Sequence, residues 1–262
     1  MFYIEPKERL IEIRKVIDEM KQNKYDDLVF FEKYSRMDRS QKGLQGAGEW
    51  ESLKKLLPDF KSKDVLDLGC GYGWHCQYAM EQGASSVTGV DISQRMLQVA
   101  IDKTDKKIQY VHQPIEDVNF ADSSFDIVMS SLAFHYMKSF EEIVKKVYHC
   151  LKAGGNFVFS VEHPIFTSMG NQDFIYNEQG EILHFPVDAY FYEGERNSNF
   201  LGEMVIKYHR TLTTYLRDLL QCGFEILDII EPKPSDDLLE TVEGMKDELR
   251  RPMMLIISAR KK

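Results

Sequence analysis

The sequence lacks long apolar runs and has few cysteines. No stretch of its 262 residues approaches the roughly 18 apolar residues that a membrane-spanning helix needs. Charged residues interrupt the first ten positions, where a secretory signal would have its apolar segment. The four cysteines are scattered, and no second ligand pair at zinc spacing follows Cys70, His75 and Cys76. We therefore predict a cytoplasmic protein with reduced thiols, no metal site and no membrane partner.

Basic charge is also scarce. The 33 lysines and arginines are outnumbered by 42 aspartates and glutamates, which gives a net charge of −9. No basic run interleaved with aromatic residues is present, so we expect no nucleic-acid partner. With 43% hydrophobic and 29% charged residues, the chain has the composition of a globular protein, and we expect a single domain over residues 1–262.

The first 60 residues predict a helical cover. Apolar residues recur there at the spacing of one helix face, namely Ile13, Val16, Ile17 and Met20. A second helix, near Trp50, should end at Pro58, which cannot continue it. The segment between these helices combines aromatic residues with three glycines, a composition that suits a mobile cover.

Alternating strand and helix patterns begin at Asp64. Five predicted strands lie at residues 65–68, 87–90, 108–111, 125–129 and 157–161, and two more at 224–230 and 253–258. This alternation predicts an α/β fold with a mostly parallel sheet and helices on both faces. Residues 163–210 break the rhythm, being rich in aromatic residues without clean periodicity. We expect part of this insert to shape a substrate pocket.

A glycine-rich turn follows the first predicted strand. In an open parallel sheet, ligands bind beyond the carboxyl ends of the strands. Gly69, Gly71 and Gly73 would let the backbone approach a ligand closely there. Asp91 lies at the end of the second predicted strand, where its carboxylate can accept hydrogen bonds from a ribose diol. Together these features predict a nucleoside-cofactor site.

Two residues near the turn, Asp67 and Trp74, favour S-adenosylmethionine over a dinucleotide as the cofactor. Trp74 stands where a dinucleotide-binding turn would have its third glycine. Asp67 would repel a pyrophosphate but attract an ammonium group, such as the one on the amino-acid tail of S-adenosylmethionine. S-adenosylmethionine is therefore favoured. An NAD(P)-dependent oxidoreductase and a non-catalytic cofactor-binding protein on the same fold remain as alternatives.

These motifs resemble those of class I S-adenosylmethionine-dependent methyltransferases. Residues 65–73 (VLDLGCGYG) resemble motif I, and Asp91 matches motif II. Residues 125–135 and 151–155 resemble the fourth strand and the lead into the fifth in the small-molecule "type 11" group, and the whole chain resembles uncharacterised bacterial members of that group. The resemblance implies a Rossmann-like sandwich with a seven-stranded sheet and an aromatic-rich insert after strand five. It also implies methyl transfer to a small organic acceptor, by a monomer or homodimer.

The same resemblance suggests which residues form the site. The candidate cofactor-binding residues are Tyr34, Asp67, Gly69, Cys70, Gly71, Asp91, Ile92, Met96, Ile115, Glu116, Ser131 and Leu132. The cover residues Tyr34 and Arg39 could close over the cofactor, as N-terminal segments do in the family. Where the family has an Asp-Ala pair after strand three, this chain has Pro114 and Ile115. We therefore hypothesise that the Ile115 N–H and the Glu116 side chain recognise adenine.

Two histidines are candidate catalytic residues. His135 and His163 each follow a predicted strand end on the binding edge of the sheet. Displacement at a sulfonium methyl requires mainly alignment and exclusion of water. A general base is needed only when the acceptor must lose a proton, so either histidine would assist the reaction without being obligatory.

Overall fold

The computed structural model describes residues 21–262. The predicted helix containing Ile13 and Met20 lies outside the described residues. Within the remainder of the predicted cover, the helical segments are short. They are a 3₁₀ turn at Lys24–Asp26, α1 (Leu28–Ser35), α2 (Asp38–Gln41), a second 3₁₀ turn at Gly43–Gly46, and α3 (Trp50–Leu56).

A seven-stranded sheet forms the centre of the molecule, as predicted. Its strands are β1 (Asp64–Leu68), β2 (Ser86–Asp91), β3 (Gln109–His112), β4 (Phe125–Ser131), β5 (Leu151–Glu162), β10 (Phe224–Ile230) and β11 (Met254–Lys261). Their spatial order is β10-β11-β5-β4-β1-β2-β3, and β11 alone runs antiparallel to its neighbours. The mostly parallel α/β fold expected from the sequence is confirmed.

Helices cover both faces of the sheet. They are α4 (Trp74–Glu81), α5 (Gln94–Lys103), α6 (Phe140–Cys150) and α8 (Leu212–Cys222), with a short α9 (Asp236–Thr241) near the C-terminal end. Successive strand side chains point to opposite faces. Leu66 and Leu68 accordingly join the core beneath α6 and α8, whereas Val65 packs with residues of α4. The strands therefore read as continuous apolar runs rather than as alternating patterns.

The insert after β5 is more ordered than its sequence suggested. It contains α7 (Pro164–Ser168), a small hairpin of β6 (Ile175–Tyr176) and β7 (Ile182–His184), and a longer hairpin of β8 (Gly194–Phe200) and β9 (Glu203–His209). The strands β6 to β9 were not predicted. Polar residues dominate β8 (GERNSNF), so hydrophobic periodicity gives no signal there.

Candidate functional site

One large cavity lies at the carboxyl edge of the sheet. Its volume is about 970 Å³, within the range of small-molecule sites. Its walls come from three parts of the chain: the cover, the loops that follow the central strands, and the β8–β9 hairpin. Ligands bind at this edge in open parallel sheets, so the cavity lies where the topology predicts it.

The glycine turn forms one wall of this cavity through Gly69 and Gly71. Both have positive φ values, +77° and +52°. A Cβ on Gly69 would lie 2.5 Å from the Cβ of Ala133, whereas one on Gly71 would meet nothing within 4 Å. Gly69 is therefore required by packing, and Gly71 leaves its backbone open to a ligand.

Asp91 lies beside the turn and lines the cavity. Its Oδ2 accepts a hydrogen bond from the Gly71 N–H at 2.8 Å, and its Oδ1 accepts one from the Ser93 N–H at 2.8 Å. Burial raises the pKa of Asp91 despite these two bonds. Each oxygen keeps a further lone pair, so the carboxylate can still accept two hydroxyl hydrogens.

Most of the other predicted cofactor contacts also line the cavity. They are Tyr34, Ile92, Met96, Ile115, Glu116, Ser131 and Leu132. Leu132 adopts a left-handed conformation with φ of +54°, and its N–H donates to the Ser160 carbonyl at 2.9 Å. A non-glycine residue in that region is strained, and such residues cluster at functional sites.

Asp67 and Cys70, by contrast, do not line the cavity. Asp67 is 1% exposed, and its Oδ2 accepts a hydrogen bond from the Cys76 thiol at 3.3 Å. Its Oδ1 is buried without a partner. Burial raises the pKa of Asp67 to about 7. The carboxyl group therefore does not line the cavity, and the predicted contact between Asp67 and a cofactor ammonium stays a prediction.

Arg39 of the cover also reaches the cavity wall. Its Nη2 donates to Glu49 Oε1 at 2.9 Å, and the same oxygen accepts a hydrogen bond from Ser131 Oγ at 3.0 Å. Through these two hydrogen bonds Glu49, which is 1% exposed, connects the cover to the end of β4. Only Nη2 of Arg39 forms a hydrogen bond among the described residues, which leaves guanidinium donors for a ligand. Sequence reasoning missed Glu49 because nothing near it in the chain indicates this pairing.

The first described residues cross the cavity and are attached on both sides. Asp26 Oδ1 accepts hydrogen bonds from Ser93 Oγ at 2.6 Å and from the Arg95 N–H at 3.1 Å. Gln22 Oε1 accepts one from the Ile206 N–H at 2.7 Å, and Gln22 Nε2 donates to the Ile206 carbonyl at 3.3 Å. The cover is thus bonded both to the cofactor side of the sheet and to the β8–β9 hairpin.

The two candidate histidines have different positions. His135 lines the cavity and is 2% exposed. His163 does not line it: its Nδ1 accepts a hydrogen bond from the Ile165 N–H at 3.0 Å, and its Nε2 lies 2.9 Å from Glu231. His163 therefore caps the first turn of α7. Of the two, only His135 lines the cavity.

An ion pair beside His135 was not predicted. Glu162, the last residue of β5, lines the cavity, and its Oε1 accepts a hydrogen bond from Lys207 Nζ at 2.6 Å. Lys207 lies on β9, and its side chain is 3% exposed. A lysine is almost never fully buried unless it is paired. The sequence does not show that Lys207 is buried, so it gave no signal for this ion pair.

Five aromatic residues of the insert fall into two clusters. Phe200 and Tyr208 line the cavity. Phe166, Phe174 and Phe185 instead surround Arg251, whose guanidinium carbon is 4.6 Å from the centroid of the Phe166 ring. The insert thus contributes to the cavity mainly through the β8–β9 hairpin, and its other aromatic cluster packs around a buried cation.

Residues 21–262 show neither a metal-binding cluster nor a membrane-spanning helix. That part of the chain contains no cluster of three or more His, Cys, Asp and Glu side chains that could hold a metal ion. It also contains no helix long and apolar enough to cross a membrane.

The cavity wall fits a nucleoside cofactor with an amino-acid tail. The open space at Gly71 accommodates a close ligand, Asp91 supplies acceptors for a ribose diol, and Arg39 supplies donors for a carboxylate. None of these groups forms the cradle of N–H groups, closed by a third glycine, that a pyrophosphate requires.

Comparisons with known proteins agree with this chemistry. Residues 66–159 match the family model of a methyltransferase domain. The crystal structure of a Listeria monocytogenes protein assigned to the S-adenosylmethionine-dependent methyltransferases is similar, with 55% identity, a TM-score of 0.80, and coverage of 84% of this chain and 99% of that one. An S-adenosylmethionine-dependent methyltransferase from Mesorhizobium loti shares 38% identity, with a TM-score of 0.77 and coverage of 84% and 100%.

A third similar protein covers most of the chain. It is an uncharacterised protein of Haemophilus influenzae, 34% identical over 245 residues, which are 90% of this chain and 96% of that protein. The oxidoreductase alternative is not favoured by any of these similarities. The glycine turn, Asp91 and the order of the strands agree with these similarities. The chain therefore belongs to the S-adenosylmethionine-dependent methyltransferases.

Proposed function

We propose that this methyltransferase transfers the cofactor's methyl group to a small organic acceptor, by in-line displacement inside the large cavity at the carboxyl edge of the sheet. One observation carries the proposal. The cavity that contains the glycine turn continues to a second wall, formed by Tyr25, Tyr136, His135, Glu162 and Phe200, that is not needed for the predicted cofactor contacts. Both reactants therefore have room in one enclosure.

We assign the cofactor side of the cavity residue by residue. Asp91 would hold the ribose hydroxyls, and Ile92, Met96, Ile115 and Glu116 would enclose the adenine. Gly69, Gly71 and the end of β4, with Ser131 and Leu132, would border the amino-acid tail. Tyr34 and Arg39 would close over it, with the Arg39 guanidinium on the carboxylate. Bound S-adenosylmethionine supplies an electrophilic methyl group on a positively charged sulfur.

The chain's own contribution is alignment and exclusion of water. The cover and the β8–β9 hairpin meet over the cavity through Gln22 and Ile206. Holding two reactants in a productive geometry is worth on the order of 7–11 kcal/mol. An enclosure closed by side-chain hydrogen bonds favours a small acceptor over a polymer. We infer that the cover, the sheet and the insert act as one domain.

Two measurements test the proposal. Calorimetric titration should show binding of S-adenosylhomocysteine and none of NADH. Incubation with methyl-tritiated cofactor and a fractionated cell extract should then label the small-molecule fraction. Binding of NADH alone would overturn the assignment of the cofactor site. Label confined to RNA, DNA or protein would overturn the small-acceptor assignment.

A further inference from the structure

The cavity wall at the end of β5 contains a carboxylate held in a fixed position. Glu162 Oε1 accepts a hydrogen bond from Lys207 Nζ at 2.6 Å, and its Oε2 accepts one from Gln172 Nε2 at 2.6 Å. Lys207 also donates to Gln172 Oε1 at 2.8 Å, which closes a ring of three side chains. Of the three, Glu162 alone lines the cavity. Lys207 and Gln172, which do not line the cavity, therefore fix the orientation of the carboxylate that a ligand would contact.

This carboxylate stays ionised at neutral pH. Burial by itself would raise the pKa of Glu162, but the positive charge of His135 when that ring is protonated, the charge of Lys207, and the hydrogen bonds from Lys207 and Gln172 outweigh it and lower the pKa. An ionised carboxylate only accepts hydrogen bonds. Its free lone pairs therefore require a donor on the ligand.

His135 presents a donor beside that carboxylate. The Glu162 main-chain N–H donates to His135 Nδ1 at 3.4 Å. Burial lowers the pKa of His135 to about 4, so the ring is neutral at pH 7. A neutral imidazole that accepts at Nδ1 carries its proton on Nε2. In this tautomer His135 donates a hydrogen bond at Nε2 and does not act as a base there.

The donor and the acceptor face each other across a short distance. His135 Nε2 lies 3.9 Å from Glu162 Oε1, too far for a direct hydrogen bond. A single ligand atom between them could accept from Nε2–H and donate to Oε1. Both residues line the cavity, so a ligand has access to this position.

A hydroxyl group satisfies this pair and still reacts. Its oxygen has two lone pairs, so one can accept from His135 while the other attacks the methyl carbon. A neutral amine has one lone pair, and a hydrogen bond from Nε2–H would occupy the electrons needed for attack. An acceptor carboxylate has no hydrogen to donate and would be repelled by Glu162.

The surrounding side chains favour a flat ring. Tyr25, Tyr34, Tyr136 and Phe200 all line the cavity, and the Tyr136 ring centroid is 4.4 Å from that of His135. Aromatic walls pack well against planar ligands. The Phe200 ring lies 5.4 Å from Lys207 Nζ, which places an aromatic surface next to the Glu162 ion pair as well.

From this geometry we infer that the acceptor is a phenol-type hydroxyl on a planar ring, held between His135 Nε2–H and Glu162 Oε1, with Glu162 as the proton acceptor. The inference rests on the proposed function. In the transfer, the oxygen lone pair forms the O–CH₃ bond while the methyl–sulfur bond breaks and leaves its electron pair on sulfur. The O–H bond breaks and its proton goes to Glu162 Oε1. Charge balances because the sulfonium becomes a neutral thioether and the carboxylate a neutral acid.

A matched substrate panel tests the acceptor class. Substituted phenols would be compared with anilines and benzoic acids that carry the same substituents, with methyl-tritiated S-adenosylmethionine as donor. We expect label in the phenols. Preferential labelling of anilines or benzoates overturns the inference, as does labelling of none of the three series by a chain that binds S-adenosylhomocysteine. Loss of cofactor binding itself would instead overturn the proposed function.

Variants test the two roles on the best phenol. Glu162→Gln should lower kcat/KM at least 100-fold, the size expected for loss of a general base, with S-adenosylhomocysteine affinity unchanged. Because this change leaves the Lys207 ammonium buried without its ion pair, the double variant with Lys207→Met provides a second form that should show the same loss. The exposed Glu225→Gln is the matched control. Activity of either Glu162 variant within threefold of the control overturns the assignment.

Two substitutions of His135 distinguish a hydrogen-bond donor from a general base, because one of them keeps an N–H donor and the other does not. His135→Gln keeps an N–H donor and should retain activity within about tenfold, whereas His135→Phe should lose roughly 10- to 100-fold through a higher KM as well as a lower kcat. Equal loss in both variants would show that the imidazole itself is the base and would overturn the assignment of that role to Glu162.

Discussion

The buried carboxyl of Asp67 should make the stability of the protein depend on pH in an unusual direction. Asp67 is 1% exposed, its Oδ1 has no partner, and burial raises its pKa from 3.8 to about 7. In the unfolded chain the same group titrates near its ordinary value. Between these two pH values the unfolded state has lost a proton that the folded state keeps, so stability falls as the pH rises.

The size of the effect follows from this pKa difference. Each pKa unit corresponds to about 1.4 kcal/mol, so the full penalty above pH 7 is roughly 4 kcal/mol. Asp67→Asn removes the titrating group. Relative to this variant, the wild-type free energy of unfolding should fall by about 2 kcal/mol between pH 5 and pH 7, where the folded-state carboxyl group is half ionised, and by less than about 0.5 kcal/mol more up to pH 8.5.

Urea denaturation of the cofactor-free protein at several pH values measures this difference. The control is Asp237→Asn, because the Asp237 side chain is exposed on α9. Its difference from wild type should be flat over the same range. A flat profile for Asp67→Asn would refute the reasoning, since it would show that burial does not raise the pKa of this carboxyl group. Absolute stability is not the test, because the amide also changes the hydrogen bond with the Cys76 thiol.

Three further predictions concern the turn, the ribose contact and the cover. Gly69→Ala should destabilise the fold by at least about 2 kcal/mol in thermal or urea unfolding, because its Cβ would lie 2.5 Å from that of Ala133. Gly180→Ala has a similar positive φ but open space around its Cβ, so a comparable loss there would show that backbone strain alone is responsible. Asp91→Asn should weaken S-adenosylhomocysteine binding roughly 10- to 100-fold by calorimetry, and an unchanged affinity would remove Asp91 from the cofactor site. Asp26→Ala should speed cofactor release several-fold in stopped-flow measurements because it frees the cover from α5, and an unchanged release rate would show that this attachment does not limit exchange.

The sequence by itself determined the sheet and indicated most of the residues that line the cavity near the glycine turn. Strands, tight turns and helix caps depend on residues that are close in the chain, so their patterns can be read locally. The positive φ values at Gly69 and Gly71 and the position of Asp91 at the end of β2 are of this kind. The same local logic placed Ser131 and Leu132 at the end of β4, beside the cavity.

Only the tertiary structure decided which side chains meet at the end of β5 and line the cavity there. Glu162 and Lys207 are 45 positions apart, and they meet because the β8–β9 hairpin folds back over the end of β5. His135 and His163 look equivalent in sequence, yet the first lines the cavity and the second caps α7. Such pairings depend on the path of long loops and on burial, and hydrophobic periodicity carries no information about either. The methyl donor could therefore be predicted from local sequence motifs, whereas the side chains proposed to bind the acceptor could be identified only from the fold.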